Sequence, residues 1–329
     1  MRAIVITEKG GPEVLVVQEV PDPVPGPEEI LVDIVTSAIN RADLLQRRGM
    51  YPGPPGDYEI PGLEFAGRVA ATGERVTEHA VGDAVMGIVA GGGYAERVTI
   101  HERQAMAVPS ALGLDNAGAF CEVYITAWDA LVRQGGLTTG RWALVHAGAS
   151  GVGTASIQIA KAMGARIAVT ASAGKHHVCE ALGADLVIDY ASEDYVEAVR
   201  DATGGAGVDV VLDVIGGDYL PRNISCLRIN GRIIQVGTMA GTPVPFNPAG
   251  LMMKRAALIG TTLRARPIEE KIAVTRQFAA EMLPHAATGA LAPVIDSRFA
   301  LADAPAAHER MEANLNAGKI VLDVAPARN

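Results

Sequence analysis

The fold of this chain is decided by the stretch Trp142-Ala-Leu-Val-His-Ala-Gly-Ala-Ser-Gly-Val-Gly153. Its first residues are apolar and predict a short strand, and the pattern from Gly153 to Met163 predicts an amphipathic helix. Gly148 permits the tight turn between them, and Gly153 lets the helix pack closely on the strand. Ser150 stands where the middle glycine often lies. The order strand, turn, helix favours a dinucleotide site over an ordinary βα turn of an unrelated fold.

The phosphate-binding part of such a site would lie at this turn. Free N–H groups and the helix dipole favour an anion at a helix N-terminus, so the pyrophosphate would lie there. The next strand ends in Ala168-Val-Thr-Ala-Ser-Ala-Gly-Lys175, with no carboxylate for the ribose 2′-hydroxyl of NAD. Ser172 and Lys175 would instead bind the 2′-phosphate of NADPH. Lys175 could merely solvate a helix start, but a cation is unfavourable there, and we favour NADPH.

The pattern of apolar residues changes near residue 120. After it, apolar runs alternate with helical patterns, which predicts a parallel sheet with right-handed crossovers. Before it, short runs between Gly and Pro turns predict a barrel-like β domain, with strands at Gly62 to Ala71 and Tyr94 to Ile100. Asn40 is the expected cap of a helix over Arg41 to Arg48. The strand-like run Lys319 to Val324 would let the chain end rejoin the first domain.

Composition excludes several classes of protein. The 329 residues carry a formal net charge of -9 and only 4% aromatics, which argues against a nucleic-acid partner. No apolar run approaches the roughly 20 residues that span a bilayer. The three cysteines are far apart in sequence and indicate a reducing compartment. We therefore expect a cytoplasmic protein with no membrane segment.

Zinc ligands are missing from the expected places. A structural site needs four clustered thiolates, and the chain has only three cysteines. Asn40 to Asp43 contains neither Cys nor His, position 63 in Pro61 to Phe65 is Leu, and His79 and His101 are isolated. Without a Lewis acid to stabilise an alkoxide, the substrate should already be a good hydride acceptor. Quinones and conjugated enones meet that condition.

Several further motifs resemble the medium-chain dehydrogenase/reductase superfamily, in its zinc-free quinone oxidoreductase branch. The similarity covers nearly the whole chain and is closest to the tumour-suppressor-inducible NADPH:quinone oxidoreductase type. Beside the glycine-rich turn, the motifs that carry it are Asn40 to Leu44, Gly49 to Gly56, Gly91 to Gly93, Met311 to Asn314 and Gly318 to Val321.

The resemblance implies an α/β protein with two domains. Residues 1–122 and 267–329 would form a GroES-like β-barrel catalytic domain, and residues 123–266 a Rossmann domain with a doubly wound parallel sheet. A cleft between the domains and a homodimer are also implied. Carried over by position, contacts to NADPH would come from Asn40, Thr126, Gly151, Val152, Lys175, Tyr190, Gly237, Leu263, Arg264 and Lys319, with Lys319 closing the far side. They would join the residues already assigned from the turn and the next strand, which are Gly148, Ser150, Gly153 and Ser172.

Tyr51 and Ser150 match positions proposed as active-site residues in this type. Tyr51 would position a quinone oxygen and stays protonated at neutral pH, since its unperturbed pKa is about 10. It could equally be a loop aromatic packed beside Pro52 and Pro54. For Ser150, a small residue contacting phosphate is favoured over chemistry. The chain has Cys121 before Glu122 where the family commonly has Pro, and we expect a small buried apolar residue there.

Three functions remain open from the sequence. The first is NADPH-dependent quinone reduction without zinc, with a small-molecule quinone as substrate. The second is reduction of an enone or enoyl double bond by the same hydride donor. The third is a weakly catalytic NADPH-binding protein that acts as a stress or sensor protein.

Overall fold

The computed structural model describes residues 1–241 and 246–325. The chain divides into two compact units, Met1–Val123 with Arg264–Asn329, and Tyr124–Leu263. The strands are β1 Arg2–Ile6, β2 Leu15–Glu19, β3 Glu29–Ala38, β4 Glu64–Thr72, β5 Ala84–Ile88, β6 Arg97–His101, β7 Met106–Ala107, β8 Trp142–Val145, β9 Arg166–Ala171, β10 Leu186–Asp189, β11 Val208–Asp213, β12 Leu227–Gln235, β13 Ala257–Gly260, β14 Ile295–Ala300 and β15 Lys319–Asp323.

Helices connect most of these strands. They are α1 Arg41–Arg47, α2 Gly113–Ala117, α3 Cys121–Trp128, α4 Gly151–Ala162, α5 His176–Ala181, α6 Tyr195–Ala202, α7 Tyr219–Cys226, α8 Ala249–Lys254, α9 Ile268–Ala287 and α10 Ala304–Glu312. A π-helical turn, Asp129–Gln134, continues α3. Over the described ranges, no helix has the length and apolar composition that a bilayer crossing requires.

The second unit is built on one parallel sheet. Its strand order is β10-β9-β8-β11-β12-β13, and all neighbours run in the same direction. Leu144, Val169 and Leu212 are fully buried, as expected where helices cover both faces of a parallel sheet. The order reverses between β8 and β11, which is the topology of a doubly wound dinucleotide-binding fold. The predicted α/β fold is confirmed.

The first unit contains a seven-stranded sheet. Its order is β14-β15-β3-β4-β5-β7, with β6 also paired to β3, and only β14 and β15 are parallel. Ile34, Phe65 and Leu322 are buried in its core. Leu322 lies opposite Ser37 in the sheet, so the end of the chain completes the sheet begun near its start. This agrees with the predicted GroES-like domain.

Two strand predictions were displaced at their starts. β4 begins at Glu64 and not at Gly62, because Gly62 has a φ of +99°, which lies outside the strand region. β6 begins at Arg97, because Tyr94 packs its backbone against the preceding loop through an N–H bond to the Pro61 carbonyl of 3.0 Å. Both shifts lengthen loops of the first unit.

Candidate cofactor and substrate site

The glycine-rich turn has the geometry that its sequence predicts. Ser150 is the N-cap of α4, and its Oγ accepts the Gly153 N–H at 3.1 Å. A Cβ on Gly153 would lie 2.4 Å from the carbonyl oxygens of Ala147 and Gly148, and one on Gly148 would lie 2.5 Å from Val169 Cβ. Both glycines are therefore required by close packing. The hydroxyl of Ser150 already serves the helix, which supports a structural role for this residue.

Most predicted cofactor contacts of the second unit follow the carboxyl end of a strand. Since carboxyl ends of parallel strands meet at one edge, these residues share the edge where such folds bind ligands. Thr126 lies apart from them in sequence, in α3, and is half-buried. In strand order from β8, the edge residues are the turn Gly148 to Gly153 after β8, Ser172 and Lys175 after β9, Tyr190 after β10, Gly237 after β12 and Leu263 after β13.

Behind the turn lies a buried polar network that sequence reasoning missed. His146 Nδ1 is 3.0 Å from Thr170 Oγ1, and His146 Nε2 is 2.8 Å from Asn223 Oδ1. Asn223 Nδ2 donates to Asp213 at 2.9 Å. Burial lowers the pKa of His146, so the ring is a neutral link between the ends of β8 and β9. The only sequence signal was a histidine inside an apolar run.

In the first unit, Asn40 belongs to a buried ionic cluster. Lys319 Nζ donates to Asn40 Oδ1 at 2.6 Å, to Glu64 Oε1 at 2.7 Å and to the Ile39 carbonyl at 3.0 Å. Asn40 Nδ2 also donates to Glu64 Oε1 at 2.9 Å. Lys319 is 3% exposed and Glu64 is fully buried. The cluster fixes the Asn40 amide, and it shows Lys319 as an internal residue of this unit.

Asp43 holds the backbone of the same segment through hydrogen bonds. Its carboxylate accepts the Asn40 N–H at 2.8 Å and the Tyr94 hydroxyl at 2.9 Å. Burial raises the pKa of Asp43 to about 6, although these hydrogen bonds oppose the rise. Asn40 is thus held at the start of α1 through both its backbone and its side chain.

Tyr51 is half-buried on the loop after α1 and contacts Arg264. The Arg264 guanidinium carbon is 4.9 Å from the centre of the Tyr51 ring. Arg264 also donates to the carbonyls of Ala90 at 2.6 Å and Tyr51 at 3.2 Å, and to Gln46 Oε1 at 2.7 Å. Burial raises the pKa of the Tyr51 phenol and the Arg264 cation opposes that rise. The phenol is neutral and can donate a hydrogen bond.

Glu122 and Cys121 open helix α3. The Glu122 N–H donates to Glu64 Oε2 at 2.9 Å. Burial and then the neighbouring Glu64 carboxylate raise the pKa of Glu122 to about 8. Cys121 is fully buried, as predicted, and burial raises its pKa well above the ordinary value. Sequence reasoning missed the role of Glu64, whose one signal was a carboxylate between the apolar residues Leu63 and Phe65.

The positions where zinc ligands would stand hold other groups. Leu63 is buried and Asp43 is engaged by Tyr94 and Asn40. Cys121, Cys179 and Cys226 are buried and unpaired with one another. In residues 1–241 and 246–325, no group of three or more His, Cys, Asp or Glu is arranged to hold a metal ion.

Comparisons with known proteins agree with this architecture. Residues 26–135 match the alcohol dehydrogenase GroES-like domain, and residues 151–280 match the zinc-binding dehydrogenase domain. Quinone oxidoreductase of Lama guanicoe is 33% identical over 98% of this chain and 97% of its own length. The structure of Escherichia coli quinone oxidoreductase complexed with NADPH has a TM-score of 0.88 at 30% identity, covering 98% of this chain and 100% of that one.

A further solved structure, of a mycobacterial protein complexed with NADPH, is 32% identical with a TM-score of 0.88, covering 98% of this chain and 100% of that one. The two-unit fold, the glycine-rich turn and these matches define a medium-chain dehydrogenase/reductase. Within that superfamily, the chain belongs to the quinone oxidoreductase family.

Proposed function

We propose that this protein is an NADPH-dependent quinone oxidoreductase that works without zinc. The observation that carries the proposal is the Tyr51 phenol, a neutral hydrogen-bond donor whose ring lies against the Arg264 guanidinium. In the same unit, the positions expected for zinc ligands hold Leu63 and side chains that are already hydrogen-bonded. Its relatives that are named quinone oxidoreductases support the choice of acceptor.

NADPH fits the residues at the edge of the second unit. The N–H groups of Gly151 and Val152 open α4, where an anion is favoured. Ser172 and Lys175 would hold the 2′-phosphate, and Tyr190, which is 51% exposed, offers a flat surface beside them. Gly237 and Leu263 would line the remaining edge. When bound, NADPH supplies the hydride. Two similar structures that hold NADPH support this choice.

The first unit would orient the reacting partners. We assign the Asn40 amide, fixed by Lys319 and Glu64, to the nicotinamide half of the cofactor. The Tyr51 hydroxyl would hydrogen-bond a quinone oxygen and place the acceptor for transfer. A bound water or a nearby hydroxyl would supply the proton. In this proposal Ser150 contributes by shaping the turn.

A panel of acceptors tests this function. Purified protein is mixed with NADPH, and the absorbance of NADPH is followed with an ortho-quinone, a para-quinone, a linear enone and no acceptor. We expect rapid loss only with quinones. Loss with the enone alone would make the protein a double-bond reductase. Tight NADPH binding without turnover on any acceptor would make it a binding or sensor protein.

The cofactor preference has a separate test in Lys175→Ala. Removing the cation should weaken NADPH binding at least tenfold, since a charge-assisted contact to phosphate is lost, and should leave NADH binding unchanged. Dissociation constants from the fluorescence of the bound cofactor measure both. Lys161→Ala, which removes an exposed lysine that pairs with Asp185, is the control. An unchanged ratio of NADPH to NADH affinity in Lys175→Ala would refute the role of Lys175.

A further inference from the structure

We propose that Arg264 is a positioning residue for Tyr51, and that it fixes the phenol for substrate binding by clasping the loop from Gly49 to Gly56. The sequence resemblance had placed Arg264 among the cofactor contacts. The inference rests on the proposed function, since it treats Tyr51 as the group that binds the acceptor. In this proposal Arg264 acts through Tyr51 on the binding of the acceptor, and it does not contact NADPH.

The loop that carries Tyr51 has few other attachments. Pro52, Pro54 and Pro55 are exposed and have no amide hydrogen to donate. In the part of the chain that the structure describes, the backbone between residues 51 and 58 makes one hydrogen bond, which Arg264 Nη1 donates to the Tyr51 carbonyl at 3.2 Å. The position of this loop therefore depends on Arg264.

Arg264 is itself anchored on helix α1 and on the segment after β5. Its Nη2 donates to Gln46 Oε1 at 2.7 Å in helix α1, and its Nε donates to the Ala90 carbonyl at 2.6 Å just after β5. Gln46 is 1% exposed. A Cβ on Gly53 would lie 2.5 Å from Gln46 Nε2 and 3.3 Å from Arg264 Nη2. The loop backbone thus packs directly against this anchor.

The guanidinium also faces the Tyr51 ring at 4.9 Å. A cation over an aromatic face is attracted by the ring quadrupole, so Arg264 restrains the side chain as well as the backbone of Tyr51. Lysine cannot make this set of contacts, because it lacks the planar fork that donates in three directions while stacking on a ring. The clasp therefore needs arginine specifically, and loss of the fork would release the phenol even if the charge were kept.

Kinetics of Arg264→Met and Tyr51→Phe, singly and together, test the proposal. Since small errors in placement reduce rates strongly, we expect Arg264→Met to lower kcat with an ortho-quinone about tenfold and to leave the dissociation constant of NADPH within about twofold. In the Tyr51→Phe background the same substitution should change kcat little. Arg264→Lys should resemble Arg264→Met. Lys271→Met removes a neighbouring cation that does not touch Tyr51 and should leave kcat unchanged.

A readout independent of activity uses protein with 13C-labelled tyrosine. The Tyr51 ring signal is assigned by its loss in Tyr51→Phe, and in Arg264→Met it should move toward the position of free tyrosine. Three results would each overturn the role of Arg264. The first is a Tyr51 signal that stays in place in Arg264→Met, and the second is a loss of kcat from Arg264→Met that is as large in the Tyr51→Phe background as in the wild type. The third is an Arg264→Met variant that binds NADPH more weakly but keeps the kcat of the wild type. If the wild type turned over no acceptor, the proposed function would fail, while the tyrosine signal would still decide the clasp.

Discussion

Glu122 is a residue whose ionisation affects stability near neutral pH. Its pKa is raised from 4.5 to about 8, so the folded chain keeps a proton that the unfolded chain releases. The folded state then binds more protons than the unfolded state between these two values, and the free energy of unfolding falls as pH rises through that window. The wild type therefore loses stability from about pH 5 to pH 8 at this position.

Glu122→Gln should remove that loss, because glutamine has the shape of the protonated carboxyl and does not titrate. We expect the variant and the wild type to be similarly stable at pH 5, and the variant to be more stable by on the order of 2 kcal/mol at pH 8, with no further gain above it. Urea unfolding at several pH values measures the difference. Glu8→Gln, at an exposed carboxylate, is the control. A gap that does not widen as pH rises would show that the pKa of Glu122 is not raised in the fold.

At the scale of elements, the contact between the glycine-rich turn and helix α4 leaves no room for a side chain at Gly153. Gly153→Ala would place a methyl group 2.4 Å from two carbonyl oxygens, and α4 would have to move away from the turn. Overpacking of this kind costs about 1–3 kcal/mol. We also expect NADPH binding to weaken at least tenfold, since the N–H groups that open α4 move with the helix. Thermal unfolding and cofactor titration measure the two effects.

The matched control is Gly260→Ala in β13. A Cβ there would meet nothing within 4 Å, and no positive φ restricts the residue. Its stability and NADPH affinity should equal those of the wild type. If Gly153→Ala behaved like this control, the turn would have room that the structure does not show, and its proposed place in cofactor binding would need revision.

Local geometry explains which features the sequence could predict. Gly148 and Gly153 act within one turn, so the sequence around them predicted the turn and the helix that follows it. The cap that Ser150 forms on α4 was not predicted. Parallel strands followed from the alternation of apolar runs and helical patterns. The resemblance likewise named Tyr51 and Lys319 as site residues, but it did not predict which residues they contact.

The partners of those residues depend on the tertiary fold. Lys319 bonds Glu64 across 255 positions of the chain, and Arg264 bonds Tyr51 across 213. No periodicity or spacing links residues so far apart. The ionic cluster at Asn40 and the clasp on Tyr51 therefore became visible only in three dimensions, as did the histidine network behind the turn.

At the scale of the whole molecule, we propose that the protein is a homodimer formed through the second unit. β13 lies at the edge of the six-stranded sheet, and an unpaired edge strand readily pairs with another chain. Leu258 in β13 is 39% exposed, and Met252 and Met253 in the preceding helix are 74% and 80% exposed. Pairing of two copies along β13 would cover these apolar side chains.

Leu258→Glu should therefore separate the subunits, because it places two like charges at the centre of the paired edge strands. Light scattering after gel filtration should give a wild-type mass of twice the 34.2 kDa of one chain, and a single-chain mass for the variant. Val81→Glu, at an apolar residue that is 65% exposed in the first unit, should leave the mass unchanged. A monomeric wild type would refute the dimer. A dimer that survives Leu258→Glu would place its interface away from β13. Because Leu258 lies on the strand edge and not among the proposed cofactor contacts, NADPH affinity per chain should be the same in the separated subunits.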